Sequence, residues 1–119
     1  MSDSTIILNA QITDIFLGYD VDHGFLTFKL TLDIEGGISC VFGGTPLDEY
    51  DYISKKRCCC GYSMVIITEI MQVVGVDRWE DLKYKYIKVI LNEDRNKITA
   101  IGNLMKPEWF DIYDFYKHY

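Results

Sequence analysis

Residues 25–34 read FLTFKLTLDI, and how these ten residues are read decides the fold. Leu26, Phe28, Leu30, Leu32 and Ile34 alternate with Phe25, Thr27, Lys29, Thr31 and Asp33. Strand side chains point to opposite faces in turn, so this spacing predicts one apolar face and one mostly polar face. Working outward, residues 35–37 (EGG) form a turn signal and residues 38–42 (ISCVF) a following strand. On the other side, residues 5–17 (TIILNAQITDIFL) are rich in β-branched and apolar types and predict a preceding strand. Its alternation falters at Asp14, Ile15 and Phe16, where a bulge is expected. The three segments together predict an antiparallel meander.

Residues 43–61 (GGTPLDEYDYISKKRCCCG) break this pattern with glycines, a proline, an acidic cluster and then a basic one. They read as a loop longer than most within compact domains, a length that itself points to function. Residues 63–74 predict a helix, with Ser63 as its N-cap and Met64, Ile67, Ile70, Met71 and Val74 on one apolar face. Gly75 stands where a left-handed C-terminal cap is wanted, and Val76 can add its apolar contact. The β-branched run Val65, Ile66, Ile67 keeps a strand reading open. Asp77 and Glu80 have capping-box spacing ahead of a short turn. Residues 85–91 and 97–105 predict a hairpin across the polar turn 92–96 (NEDRN). Pro107 opens a short C-terminal helix in which Trp109, Ile112, Tyr113 and Tyr116 fall at helical spacing. The expected architecture is a single α+β domain over residues 1–119, with its core at about 5–110 and an aromatic tail at 107–119. It would hold an antiparallel sheet of about five strands, one main helix packed on it and the short C-terminal helix.

With 119 residues, 49% of them hydrophobic, the chain can bury a core without staples. No apolar run is long enough to span a bilayer, since the best candidate, residues 64–74, is short and carries Glu69 and Gln72. The start, MSDST, lacks the basic and apolar parts of a secretory signal, so a cytoplasmic protein is expected. Charge is unevenly divided. Residues 1–52 hold nine acids and one base, a net −8, whereas residues 53–119 hold nine acids and eleven bases, a net +2. An acidic half repels phosphates and disfavours direct nucleic-acid binding. It suits a partner protein with a basic surface, such as one that itself binds nucleic acid, or simply serves as a solvated surface. The four cysteines, Cys40, Cys58, Cys59 and Cys60, show no C-x-x-C spacing, so reduced thiols are the better reading than a disulfide framework or a zinc ribbon. No cofactor and no metal are expected.

Asp20, Asp22 and His23 crowd into four positions, and carboxylate with imidazole is good acid–base and metal-ligand chemistry. A metal-dependent hydrolase built on them is one reading. The only other histidine is His118, however, and a competent site needs ligands from several elements. The favoured reading is a polar turn, with Gly24 at a positive backbone angle and the aspartates bonded to the turn's own backbone; His23 would then bond into the neighbouring loop. Gly43 and Gly44 could let backbone approach a ligand, as in a nucleotide-binding sponge-type protein, but the phosphate-loop pattern around them is missing. Lys55, Lys56 and Arg57 could contact phosphate, although bases without interleaved aromatics are a weak signal. The run Asp48, Glu49, Tyr50, Asp51, Tyr52 alternates carboxylates with tyrosines and could imitate a nucleic-acid strand for a basic groove. Trp79 and Trp109 with Phe110 read as core anchors. Trp109 also joins Tyr113, Tyr116 and Tyr119 as a candidate surface for a homo-oligomer.

Several spaced motifs carry a resemblance. LGYDVDHG, FLTFKLTLDIEGGISCVFGG and TPLD, then VGVDRWEDLKYKYIKV and AIGNLMKPEWF, resemble a family of small proteins encoded by phages and prophages. The likeness spans roughly residues 10–110. The acidic segment here is one residue longer than the family pattern, and the basic–cysteine segment 55–60 and the tail after Phe110 are unusual. What the resemblance implies is a viral origin rather than a reaction. It favours a small non-enzymatic accessory protein acting in the host cytoplasm, including the class that inhibits host defence effectors in the manner of anti-CRISPR proteins.

Overall fold

A computed structural model describes residues 6–92 and 97–118. Six strands form one antiparallel sheet: β1 (Ile6–Asp20), β2 (Phe25–Ile34), β3 (Ile38–Pro46), β6 (Tyr86–Leu91), β7 (Ile98–Gly102) and β8 (Trp109–Asp111). Their order is β3-β2-β1-β6-β7-β8. A separate two-stranded hairpin pairs β4 (Asp48–Asp51) with β5 (Lys56–Cys59). Two helices follow, α1 (Ser63–Val74) and the short α2 (Ile112–Lys117).

The alternation in β2 sets the register. Leu30 stands opposite Ile15 on one side and Phe42 on the other, and Leu32 lies between Ile12 and Cys40. These residues share the face that α1 covers, and Phe28, Leu30 and Leu32 are fully buried there. The opposite face carries Thr31, Asp33, Ser39 and Val41 and is left open. The bulge in β1 lies between Ile12 and Asp14, one residue ahead of the expected place. A second irregularity falls between Thr27 and Lys29, opposite Gly43–Pro46, and bends β3. The bend helps bring the two ends of the sheet together: Phe42 of β3 meets Phe110 of β8 edge-on at 6.4 Å, and Thr45 bonds the Tyr116 hydroxyl of α2 at 2.9 Å. The core therefore sits in the hollow of a curved sheet, with α1 inside the curve through Ile66, Ile67, Ile70 and Val73.

Five expectations need correction. The sheet has six strands rather than about five, because Trp109–Asp111 pair with Gly102–Ala100 as β8 instead of opening the tail helix. Trp109 is thereby laid over Gly102, where an added Cβ would lie 2.6 Å from the indole. Residues 43–61 are not a loop. The charges that suggested one are cross-strand neighbours, with Asp51 opposite Lys56 and Tyr50 opposite Arg57. Ser63 does not cap α1: Tyr62 holds the cap position without a side-chain bond, and the Ser63 hydroxyl donates to the Cys60 carbonyl. The buried stripe of α1 runs through Ile66 and Val73 rather than Met64, which is 65% exposed. Asp77 makes no capping box, since the 3-10 turn Trp79–Leu82 starts after Arg78. Gly75 does close α1 in the left-handed conformation (φ 94°), and both Gly75 and Val76 donate to the Met71 carbonyl. The expected turn at 92–96, Thr5 and Tyr119 fall wholly or partly outside the described residues.

Candidate functional site

The β1–β2 turn is built around one carboxylate. Asp20 Oδ1 accepts the backbone N–H groups of Asp22 (3.1 Å) and His23 (3.3 Å). Its Oδ2 takes His23 Nδ1 at 2.8 Å and Lys29 Nζ at 3.2 Å. These partners, the His23 ring foremost, hold the Asp20 carboxyl down at about 2. Gly24 closes the turn at φ 78°. Both Asp20 oxygens are thus engaged within the turn, and His23 bonds Asp20 rather than the neighbouring loop. Asp22 is exposed and enters this cluster through its backbone N–H. Among the described residues no three His, Cys, Asp or Glu side chains are grouped to hold a metal ion. The arrangement does what a turn requires: it starts β2 and fixes Lys29 on the open face.

Gly43 and Gly44 have positive φ (104° and 86°), but the first is packed rather than open. A Cβ on Gly43 would lie 2.5 Å from the Phe28 ring and 2.7 Å from its carbonyl oxygen. The glycine pair makes the bend in β3, and the Phe28 ring fills the space against it.

The hairpin β4–β5 is the most distinctive element. Its root is tied twice. Asp48, 3% exposed, accepts the Leu26 N–H on Oδ1 (3.0 Å) and the Arg57 Nη2 on the same atom (2.9 Å). Arg57 also donates to the Asp48 carbonyl at 3.1 Å. The Arg57 guanidinium holds the Asp48 carboxyl below its ordinary value, and the Leu26 N–H adds to this against the cost of burial. The Leu47 N–H donates to the Leu26 carbonyl and the Cys60 N–H to the Leu47 carbonyl, so both hairpin ends are fastened to the start of β2 or to each other. At the far end the Asp51 carboxylate accepts the Ile53 N–H (3.0 Å) and shapes the tip. Beyond this frame the side chains are bare. Tyr52 is 83% exposed and Ile53 is 94% exposed. Tyr50 and Tyr52 stand edge-to-face with centroids 4.8 Å apart. With Glu49, Asp51 and Cys58 they line a shallow groove of about 470 Å³.

The predicted binding residues therefore separate. Glu49, Tyr50, Asp51 and Tyr52 come together on the hairpin, whereas Asp48 is an internal tie and Asp20, Asp22 and His23 form a turn of their own. Lys55 and Lys56 are exposed near the tip, and Cys58 and Cys59 are exposed on β5. The tail residues have separate neighbours: Trp109 lies over Gly102 with Lys88 Nζ 5.5 Å from its ring, Tyr113 lies under Lys97, and Tyr116 packs on Tyr62. Sequence reading missed Ile53, and it grouped Arg57 with Lys55 and Lys56 as a phosphate contact where the structure makes it the partner of Asp48. Arg57 was masked by its neighbours Lys55 and Lys56, and only the pairing of β4 with β5 sets it apart from them. Against protein-family models, curated proteins and solved structures the chain gives no significant match.

Proposed function

We propose that the protein is a non-catalytic binding protein whose β4–β5 hairpin docks on a basic surface of a partner protein. The observation that carries this is the contrast between root and tip. An ion pair with a buried carboxylate and backbone ties stiffen the root, while Tyr52 and Ile53 stand almost fully exposed at a tip flanked by Glu49 and Asp51 on one strand and by Lys55 and Lys56 on the other side. Exposed tyrosine and isoleucine add nothing to the core, and presenting them on a stiff arm lowers the entropy lost on binding. Tyrosine is a frequent centre of binding energy, and the carboxylates beside it would steer a basic partner. The acidic N-terminal half adds to that steering field. With the resemblance to phage-encoded proteins, the reading extends to a host macromolecule as target, of the kind that itself handles nucleic acid, and to inhibition as the outcome.

The test uses the whole protein immobilised beside a Tyr52→Ala/Ile53→Asp variant, both checked for equal thermal stability. Host lysate is passed over each at low salt and the retained proteins are identified and quantified. The reading expects a basic protein enriched on the unaltered protein and reduced about thirtyfold on the variant, as the loss of a binding hot spot implies. Equal retention on both, or no enrichment on either, overturns it.

A further inference from the structure

The two edges of the six-stranded sheet differ in a way that stability does not explain. The β8 edge is only Trp109–Asp111 and runs straight into α2. The β3 edge is Ile38–Pro46, and residues 36–47 carry no charged side chain at all. Edge strands are commonly kept short, charged or covered, because their unpaired N–H and C=O groups invite another strand. The second half of β3 is engaged: Phe42 meets Phe110, and Thr45 bonds Tyr116. Its first half is paired on one side only, with β2. Here Ser39 and Val41 point to the open face, and Val41 is 54% exposed.

Charge next to this edge identifies the occupant. Asp33 stands opposite Ser39 on β2 and is exposed, so only a serine separates its carboxylate from the position an added strand would take. The base on the same face of β2, Lys29, is held by Asp20 at 3.2 Å. A second copy of this chain would bring two strongly acidic halves together, whereas a cationic segment would be attracted. We infer that the first half of β3 accepts an extended basic segment of a partner protein as an added strand. A lysine or arginine of that segment reaches over Ser39 to Asp33, and an apolar residue two positions away covers Val41. This rests on the reading of a basic partner, but it concerns a different surface from the hairpin.

The probe is a synthetic octapeptide repeating lysine–threonine–valine–threonine, labelled at one end and titrated into the full protein by fluorescence anisotropy. Saturable binding is expected, with new amide-exchange protection on β3. The same peptide N-methylated at alternate residues keeps its charge but loses the donors of one edge, and should bind at least about tenfold more weakly. Asp33→Asn should weaken the parent peptide about threefold, in line with an exposed ion pair. The hairpin variant Tyr52→Ala/Ile53→Asp should bind it unchanged. Equal binding of the N-methylated peptide, or no saturation at millimolar concentration, overturns the proposal. So does loss of binding in the hairpin variant with none in Asp33→Asn, which would assign the peptide to the hairpin. The lysate comparison uses no edge variant, so the two readings fail separately.

Discussion

Among the described glycines, Gly43 has the least freedom to change. Its positive φ and the Phe28 carbonyl 2.7 Å from a built Cβ act together, since the backbone oxygen cannot move aside as a side chain could. Gly43→Ala is expected to destabilise the fold by about 3 kcal/mol, combining strain with overpacking, as measured by urea unfolding. Asp48 shows the same dependence in polar form. Asp48→Ala leaves the Leu26 N–H without its acceptor and the Arg57 guanidinium with only the main-chain carbonyl of residue 48, so a loss of about 2 kcal/mol is expected. An unchanged denaturation midpoint would show that the root is not held by this pair. Asp20 makes a pH prediction. Its carboxyl ordinarily titrates at 3.8 and is held at about 2 in the folded chain, so folding favours the ionised form. The stabilisation it gives is complete above 3.8 and is lost as pH falls through about 2. Acid titration followed at the Asp22, His23 and Gly24 amides should show that step, and Asp20→Asn should abolish it.

The elements differ in how openly the sequence declares them. β2 was legible because every second residue from Leu26 to Ile34 is apolar, and one buried face allows one register. The end of α1 was legible because Gly75 is the residue that a left-handed cap prefers. Gly75→Ala should therefore cost about 1 kcal/mol, seen as a thermal midpoint lowered by a few degrees. β4 and β5 were not legible, because DEYD and KRCC are runs of like charge in which apolar and polar residues do not alternate. A stretch such as DEYD followed by KKR looks solvated until its strands are paired, and the buried acid Asp48 is indistinguishable in sequence from exposed Glu49. The candidate site was thus half legible: its tyrosines and carboxylates were found, but its frame was not. The tail was misread for a related reason. Its aromatic residues occupy helical spacing, yet Trp109 and Phe110 serve a strand before Asp111 turns the chain into α2. Asp111 caps that helix by accepting the N–H groups of Tyr113 and Asp114, both at 3.0 Å. Asp111→Ala should loosen α2 at a cost of about 1 kcal/mol and change the ultraviolet signature of Tyr116, which α2 holds against Thr45.

At the scale of the molecule, aromatic contacts join the two ends of the sheet. Trp79 meets Phe28, Phe28 meets Phe42, Phe42 meets Phe110, and Phe110 meets Phe115. Truncating the middle of this series should affect both edges at once. Phe110→Ala is expected to cost about 4 kcal/mol and to raise amide exchange along β3 as well as β8. Exchange confined to β8 would mean that the edges are not coupled through the core.

The strand order has a consequence for synthesis. β1 pairs on one side with β2, which follows it directly, and on the other with β6, which begins at Tyr86. As the chain leaves the ribosome, the β1–β2–β3 meander can assemble at once, but it must wait for most of the remaining polypeptide before its second neighbour and its closing phenylalanine arrive. For that interval the nascent chain offers bare strand edges and an apolar surface to its surroundings. Synthesis rate and chaperone supply would then govern yield more than final stability does.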